Sequence, residues 1–162
     1  MLAAMRILAI DPGYDRLGIA VIEGDPSRPV LIMSDCVQPP KGLRETRLAA
    51  VTKAVTDAIA EYAPTAFAIE TLFFSINKKT AIGVAEARGA ILAAVGLASL
   101  PVLECSPQQV KLAVTGYGGS SKSAVAQMIP RLLTLPVKKR LDDELDAIAI
   151  GITGLAMAPR NH

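Results

Sequence analysis

Over the first 37 residues Ile, Val and Leu gather in three short runs, 5–11, 16–23 and 30–37, separated by Asp11-Pro12-Gly13 and Gly24-Asp25-Pro26. Runs of this length bounded by turn formers predict three strands joined as an antiparallel meander. The period then changes. From Leu43 to Tyr62 the residues Leu48, Val51, Val55 and Ile59 recur at helical steps until Pro64, which predicts a long helix. Such a helix leads back to a strand parallel to the first, and Ala66 to Thr71 is the apolar run that fits. A second helix follows from about Thr80 to Ala98, then a fifth strand over Val102 to Cys105 and a helix starting at Pro107, a position that tolerates proline. Gly116 to Gly119 reads as a loop. Ser120 or Ser121 can cap the next helix, which ends near Leu133 before Pro136, and Asp142, Asp143 and Glu144 complement the N-terminal dipole of a closing helix. The class is α/β: a five-stranded mixed sheet, three strands antiparallel and two parallel, flanked by helices.

The helix from Thr80 to Ala98 carries Ala81, Gly83, Ala85, Ala87, Gly89, Ala90, Ala93 and Ala94. So many small side chains allow another backbone to come close, either the chain's own sheet or a second subunit, and self-association is the expectation. Gly83 and Ala87, four apart on one face, are its first candidate positions.

With 162 residues, 51% of them hydrophobic and 20% charged, the chain is expected to form one domain over 1–158, followed by a short tail at 159–162. The apolar stretches Gly89–Leu103 and Asp146–Ala158 look too short or too interrupted for a bilayer, and Met1 to Arg6 lacks the features of a signal peptide. No membrane association and a cytoplasmic location are therefore expected. Cys36 and Cys105 have no partners at metal-ligand spacing and read as small core residues. The only histidine is His162, so a serine or cysteine hydrolase built on a histidine base is excluded. The net charge of +2 decides little by itself, but Arg44 and Arg47, Lys78-Lys79 and Lys138-Lys139-Arg140 cluster locally, as a nucleic-acid face or simply a solvated one.

The chemistry rests on four acids. Asp11 and Glu70 each close an apolar run, and Asp143 and Asp146 lie three apart on one face at the start of the last helix. Asp11-Pro12-Gly13 also suits a plain turn, and first-turn acids also suit a helix dipole. Ionised carboxylates at the edge of a core are costly unless paired or bound to a cation, and an all-oxygen donor set suits Mg2+ or Mn2+. The quartet points to metal-dependent phosphodiester cleavage, in which two ions about 4 Å apart serve the attacking and leaving oxygens.

The run Ile10-Asp11-Pro12-Gly13-Tyr14-Asp15-Arg16-Leu17-Gly18-Ile19-Ala20-Val21 resembles the first hairpin of ribonuclease H-like proteins. Ala68-Ile69-Glu70-Thr71-Leu72-Phe73-Phe74-Ser75-Ile76-Asn77 narrows the resemblance to the RuvC family of Holliday junction resolvases. Ala87-Arg88-Gly89, Gln109-Val110-Lys111, Ser121-Lys122-Ser123 and Asp143-Glu144-Leu145-Asp146-Ala147-Ile148-Ala149 extend it in order over nearly the whole chain. The resemblance implies a ribonuclease H-like fold and a homodimer that nicks four-way junction DNA symmetrically in recombination and repair, in cooperation with the RuvA and RuvB branch-migration proteins. It makes Asp11, Glu70, Asp143 and Asp146 the catalytic, metal-holding acids, with Asp11 as the bridge between ions. Phe73 corresponds to an aromatic that stacks on junction bases, and Lys111 and Lys122 to lysines at the backbone near the scissile phosphate, where Lys122 can stabilise developing charge. Phe74 suits either DNA or the core, while Lys78 and Lys79 would make the loop after it unusually basic. An alternative is the ribonuclease H-like nuclease of ribosomal RNA precursors, which shares the opening hairpin but accounts neither for the Phe73 loop nor for the length. An actin-like ATPase or sugar kinase would need two such domains. A phosphate loop at Gly116–Ser123 lacks its second glycine and follows a helix.

Overall fold

The computed structural model describes residues 4–72 and 78–159. Strands β1 (Arg6–Pro12), β2 (Leu17–Asp25) and β3 (Arg28–Val37) form the meander, and α1 (Arg44–Tyr62) crosses over to β4 (Ala66–Glu70). Helix α2 (Lys78–Leu97) leads to β5 (Val102–Cys105), after which come α3 (Pro107–Thr115), α4 (Lys122–Leu132) and α5 (Asp142–Met157). The sheet order is β3-β2-β1-β4-β5, antiparallel on the meander side and parallel from β1 to β5, as expected from the strand pattern.

Strand period sorts the core into two layers. Leu8, Ile10, Leu17, Ile19, Val21, Phe67 and Ile69 face α1 and α2, where Val51, Val55, Ile91 and Val95 meet them. Ile7, Ala9, Ala20, Ile22, Ala66, Ala68 and Cys105 face α3, α4 and α5. Alanines dominate this second face because α5 lies almost on the sheet. A Cβ on Gly151 would stand 2.5 Å from Ile22, one on Gly154 2.9 Å from Ala68, and one on Gly18 1.8 Å from the Asp143 carbonyl oxygen. Helix α3 is held at its start by a capping box between Ser106 and Gln109, a device worth about 1 kcal/mol. Cys105 is buried, which pushes its thiol up to about 12 and makes it inert, while Cys36 is half-buried; the two are unbonded.

Three expectations change. Lys78 and Lys79 open α2 rather than extending the preceding loop, although Lys78's side chain lies outside the described residues. Because α2 starts so early, Lys79–Leu97 is, by length and composition alone, long and apolar enough to span a bilayer. It packs into the α/β sandwich instead, with Ile91, Ala94 and Val95 in the core and Arg88 in an ion pair with Glu104. Finally, Gly83 and Ala87 are not available to a partner. The Tyr14 ring covers Gly83, where a Cβ would come within 2.1 Å, and Ala87 is buried. The outward face of α2 is made by Ile82, Gly89, Ala93, Gly96 and Leu97.

Candidate active site

On β1 the residues facing α5 are Ile7 and Ala9, so the two-residue period carries Asp11 to the same face at the strand's C-terminal end. On β4 the same count from Ala66 and Ala68 gives Glu70. The last registered pair of these parallel neighbours is Ile10 with Ile69, so the two acids stand one step beyond it, side by side. Helix α5 brings the others. Asp11 pairs with Gly18 across the hairpin, and Gly18 is where the Asp143 backbone rests on the sheet. Any side chain at position 18 would lift this helix end, and with it Asp143 and Asp146.

Two cations face the acids. Lys122 Nζ lies 2.8 Å from Asp146 Oδ2, and this hydrogen bond holds the Lys122 ammonium above the ordinary lysine value. Arg16 Nε lies 3.1 Å from Asp143 Oδ2, close enough for an ion pair but not aligned for a hydrogen bond, which leaves that buried oxygen without a donor. Lys111 and Lys122 line a cleft of about 270 Å3 together with Glu70 and Asp146.

Burial pushes the Asp11 carboxyl up to about 7, helped by the charges of Asp146, Asp143 and Glu70 and opposed by Lys122. Glu70 is raised too, by burial and then by Asp146, while Lys122 and Lys111 pull it down. Crowded acids of this kind fit a divalent cation: every donor is an oxygen, one buried Asp143 oxygen lacks a hydrogen bond, and the repulsion between them would be relieved by positive charge. Among the described residues no three acids stand close enough together to hold an ion as they are placed; Asp146 is paired with Lys122 and Asp143 with Arg16.

A pH dependence follows. Asp11 holds its proton to about pH 7 when folded but only to 3.8 when unfolded, so the ion-free fold loses stability as pH rises through that window. Mn2+ binds the ionised acids. In calorimetry it is expected to raise the unfolding temperature more at pH 8 than at pH 5, and an equal rise at both would show that Asp11 does not titrate in this way.

The structure thus brings Asp11, Glu70, Asp143, Asp146, Lys111 and Lys122 to one end of the sheet. Phe73 and Phe74 lie outside the described residues. Lys79 stands elsewhere, beside a second cleft of about 350 Å3 between the starts of α1 and α2, with Tyr14, Arg44 and Arg47. Arg47 in that cleft is largely structural, stacked 4.8 Å from the Tyr14 ring centre and paired with Asp15. The cluster at 138–140 is also partly spent. Lys138 and Arg140 converge on Glu144, which is 3% exposed and also accepts from Ser34 at 2.6 Å. Glu144 is therefore a buried hub anchoring the start of α5, beyond its expected share in dipole compensation. The Arg16–Asp143 pair and the Ser34–Glu144 hydrogen bond join residues more than a hundred positions apart and have no local signature, whereas Arg140 stands four residues before Glu144, a helical spacing that is visible in the chain.

Residues 7–154 match the family model described as Crossover junction endodeoxyribonuclease RuvC. The RuvC of Moorella thermoacetica is 38% identical over 156 residues, covering 96% of this chain and 93% of its own. The structure of Thermus thermophilus RuvC in complex with Holliday junction substrate superposes with a TM-score of 0.85 at 32% identity, covering 92% of each chain. The yeast mitochondrial Holliday junction resolvase Ydc2, only 11% identical, shares the fold with a TM-score of 0.70 over 93% of this chain and 78% of its own. With its ribonuclease H-like sheet and its acids gathered at one end, the chain belongs to the RuvC family of crossover junction endodeoxyribonucleases.

Proposed function

We propose that this protein resolves four-way DNA junctions by metal-dependent incision, with Asp11, Glu70, Asp143 and Asp146 as its cation-holding acids. The observation that carries the proposal is the convergence of these carboxylates from β1, β4 and α5 beside Lys111 and Lys122. A relative solved with a Holliday junction supports the choice of substrate. Asp11, Glu70 and Asp146 would hold the divalent cation, with Asp143 assisting. When bound, Mg2+ or Mn2+ supplies Lewis-acid activation of the attacking water and charge neutralisation at the phosphate. The chain's own part is to crowd the acids, so that their repulsion favours a bound cation, and to bring the Lys122 ammonium to the phosphate as charge develops there. Lys111 contacts the backbone beside it, while Phe73, with Phe74, Lys78 and Lys79 near it in sequence, serves the junction bases and arms. A stacked base is worth roughly 1 to 3 kcal/mol.

Symmetric nicks need two sites related by a two-fold axis, so a homodimer through α2 is part of the proposal, as are cooperation with RuvA and RuvB and a cytoplasmic location. The test is incubation of the pure protein with a synthetic four-way junction, a matched duplex and a ribosomal RNA precursor, each with and without Mg2+ or Mn2+. Metal-dependent cutting of the junction alone is expected. Preference for the RNA would favour the RNA-processing alternative, and equal cutting of the duplex would remove structure selectivity.

A further inference from the structure

Arg88 projects from the inner side of α2 and is only 9% exposed. Its Nη1 donates to the main-chain carbonyl of Glu70 at 2.6 Å, and its Nη2 donates to Glu104 Oε2 at 3.0 Å. A buried guanidinium is tolerated only where such acceptors meet it, and its planar fork fixes both acceptors in direction. One of them is the last residue of β4, where the chain leaves the sheet, and the other lies on β5 in register with Ile69. The clamp grips Glu70 by its backbone from the α2 side, while the Glu70 side chain serves the cleft on the α5 side.

We infer that Arg88 is a positioning residue: by fixing the Glu70 carbonyl to α2 and Glu104, it sets the direction in which the Glu70 carboxylate leaves the sheet toward the cation site. The inference rests on the reading of Glu70 as a cation ligand. It is tested by titrating Mn2+ into the DNA-free protein in a calorimeter and by single-turnover junction cleavage, for wild type, Arg88→Gln, Arg88→Lys and Glu104→Met. Arg88→Gln is expected to weaken Mn2+ binding about tenfold and slow cleavage in parallel, the scale on which outer-shell partners of metal ligands act. Junction affinity measured in Ca2+ should stay unchanged. Arg88→Lys, which keeps the charge and one bond, should recover part of the loss. A role confined to packing would lower the unfolding temperature while the folded variant bound Mn2+ as wild type does, and that result would overturn the inference. Should Arg88→Gln fail to fold, Glu104→Met, which keeps the length of the side chain but removes the acceptor oxygens, carries the test: weakened Mn2+ binding supports the clamp and wild-type binding overturns it. A wild-type protein that binds Mn2+ but leaves junctions intact would instead sink the proposed function, with the effect of Arg88 on Mn2+ still readable. One that binds no Mn2+ would sink both.

Discussion

Asp146→Asn is expected to abolish junction cleavage while leaving junction binding near the wild-type level. Asn keeps the volume and a hydrogen-bonding oxygen for Lys122, whose ammonium lies 2.8 Å from Asp146, but removes the charge that a divalent cation needs. The rate should fall by about a hundredfold or more, the upper end of what even an outer-shell partner of a metal contributes. Folding will not explain the loss. Asp146 is the first of the charges that raise Asp11 and Glu70, so its neutralisation relieves repulsion, and the unfolding temperature in chelator should hold or rise. Junction affinity, measured by band shift in Ca2+, separates binding from chemistry. Cleavage near the wild-type rate would remove Asp146 from the site.

Gly89→Glu is expected to split the dimer and convert paired incision into isolated nicks. Only 28% of the apolar stretch Lys79–Leu97 is buried, and Ile82 and Leu97 on it are 66% and 90% exposed, an unusual surface for a helix with no partner. Gly89 is exposed, and a Cβ there would meet nothing within 4 Å, so the subunit itself has room for the new side chain. Glutamate also favours a helix over glycine by up to about 1 kcal/mol, which protects the monomer's fold. A second subunit would instead meet a charge in the middle of its contact. Sedimentation should report half the wild-type mass, and a cruciform plasmid should yield nicked circles in place of linear product. A wild-type protein that is monomeric both free and on the junction, yet linearises the plasmid in one binding event, would defeat the two-site picture.

The layout of strands and helices was legible in the chain itself, and so were the four acids that the fold brings to one end of the sheet. Strand period 2 and helix period 3.6 are local properties, and both survive in the fold almost residue for residue. Asp11 and Glu70 stood out because each ends an apolar run, and a strand that loses its hydrophobic pattern at a charge does so at its end. Asp143 and Asp146 stood out because their spacing is a helical one. What only the tertiary structure decided is which charges meet. Arg16 with Asp143, Ser34 on Glu144, and Arg88 across Glu70 and Glu104 are brought together by sheet closure and helix docking, across separations that leave no periodic trace, while Arg140 reaches Glu144 over a helical step of four. The same holds for exposure along α2, whose small residues look alike in sequence. Gly83 lies under a tyrosine ring and Ala87 in the core while Gly89 is open to solvent, because the packing of the first hairpin and α1, and not residue size, determines which side of that helix is covered.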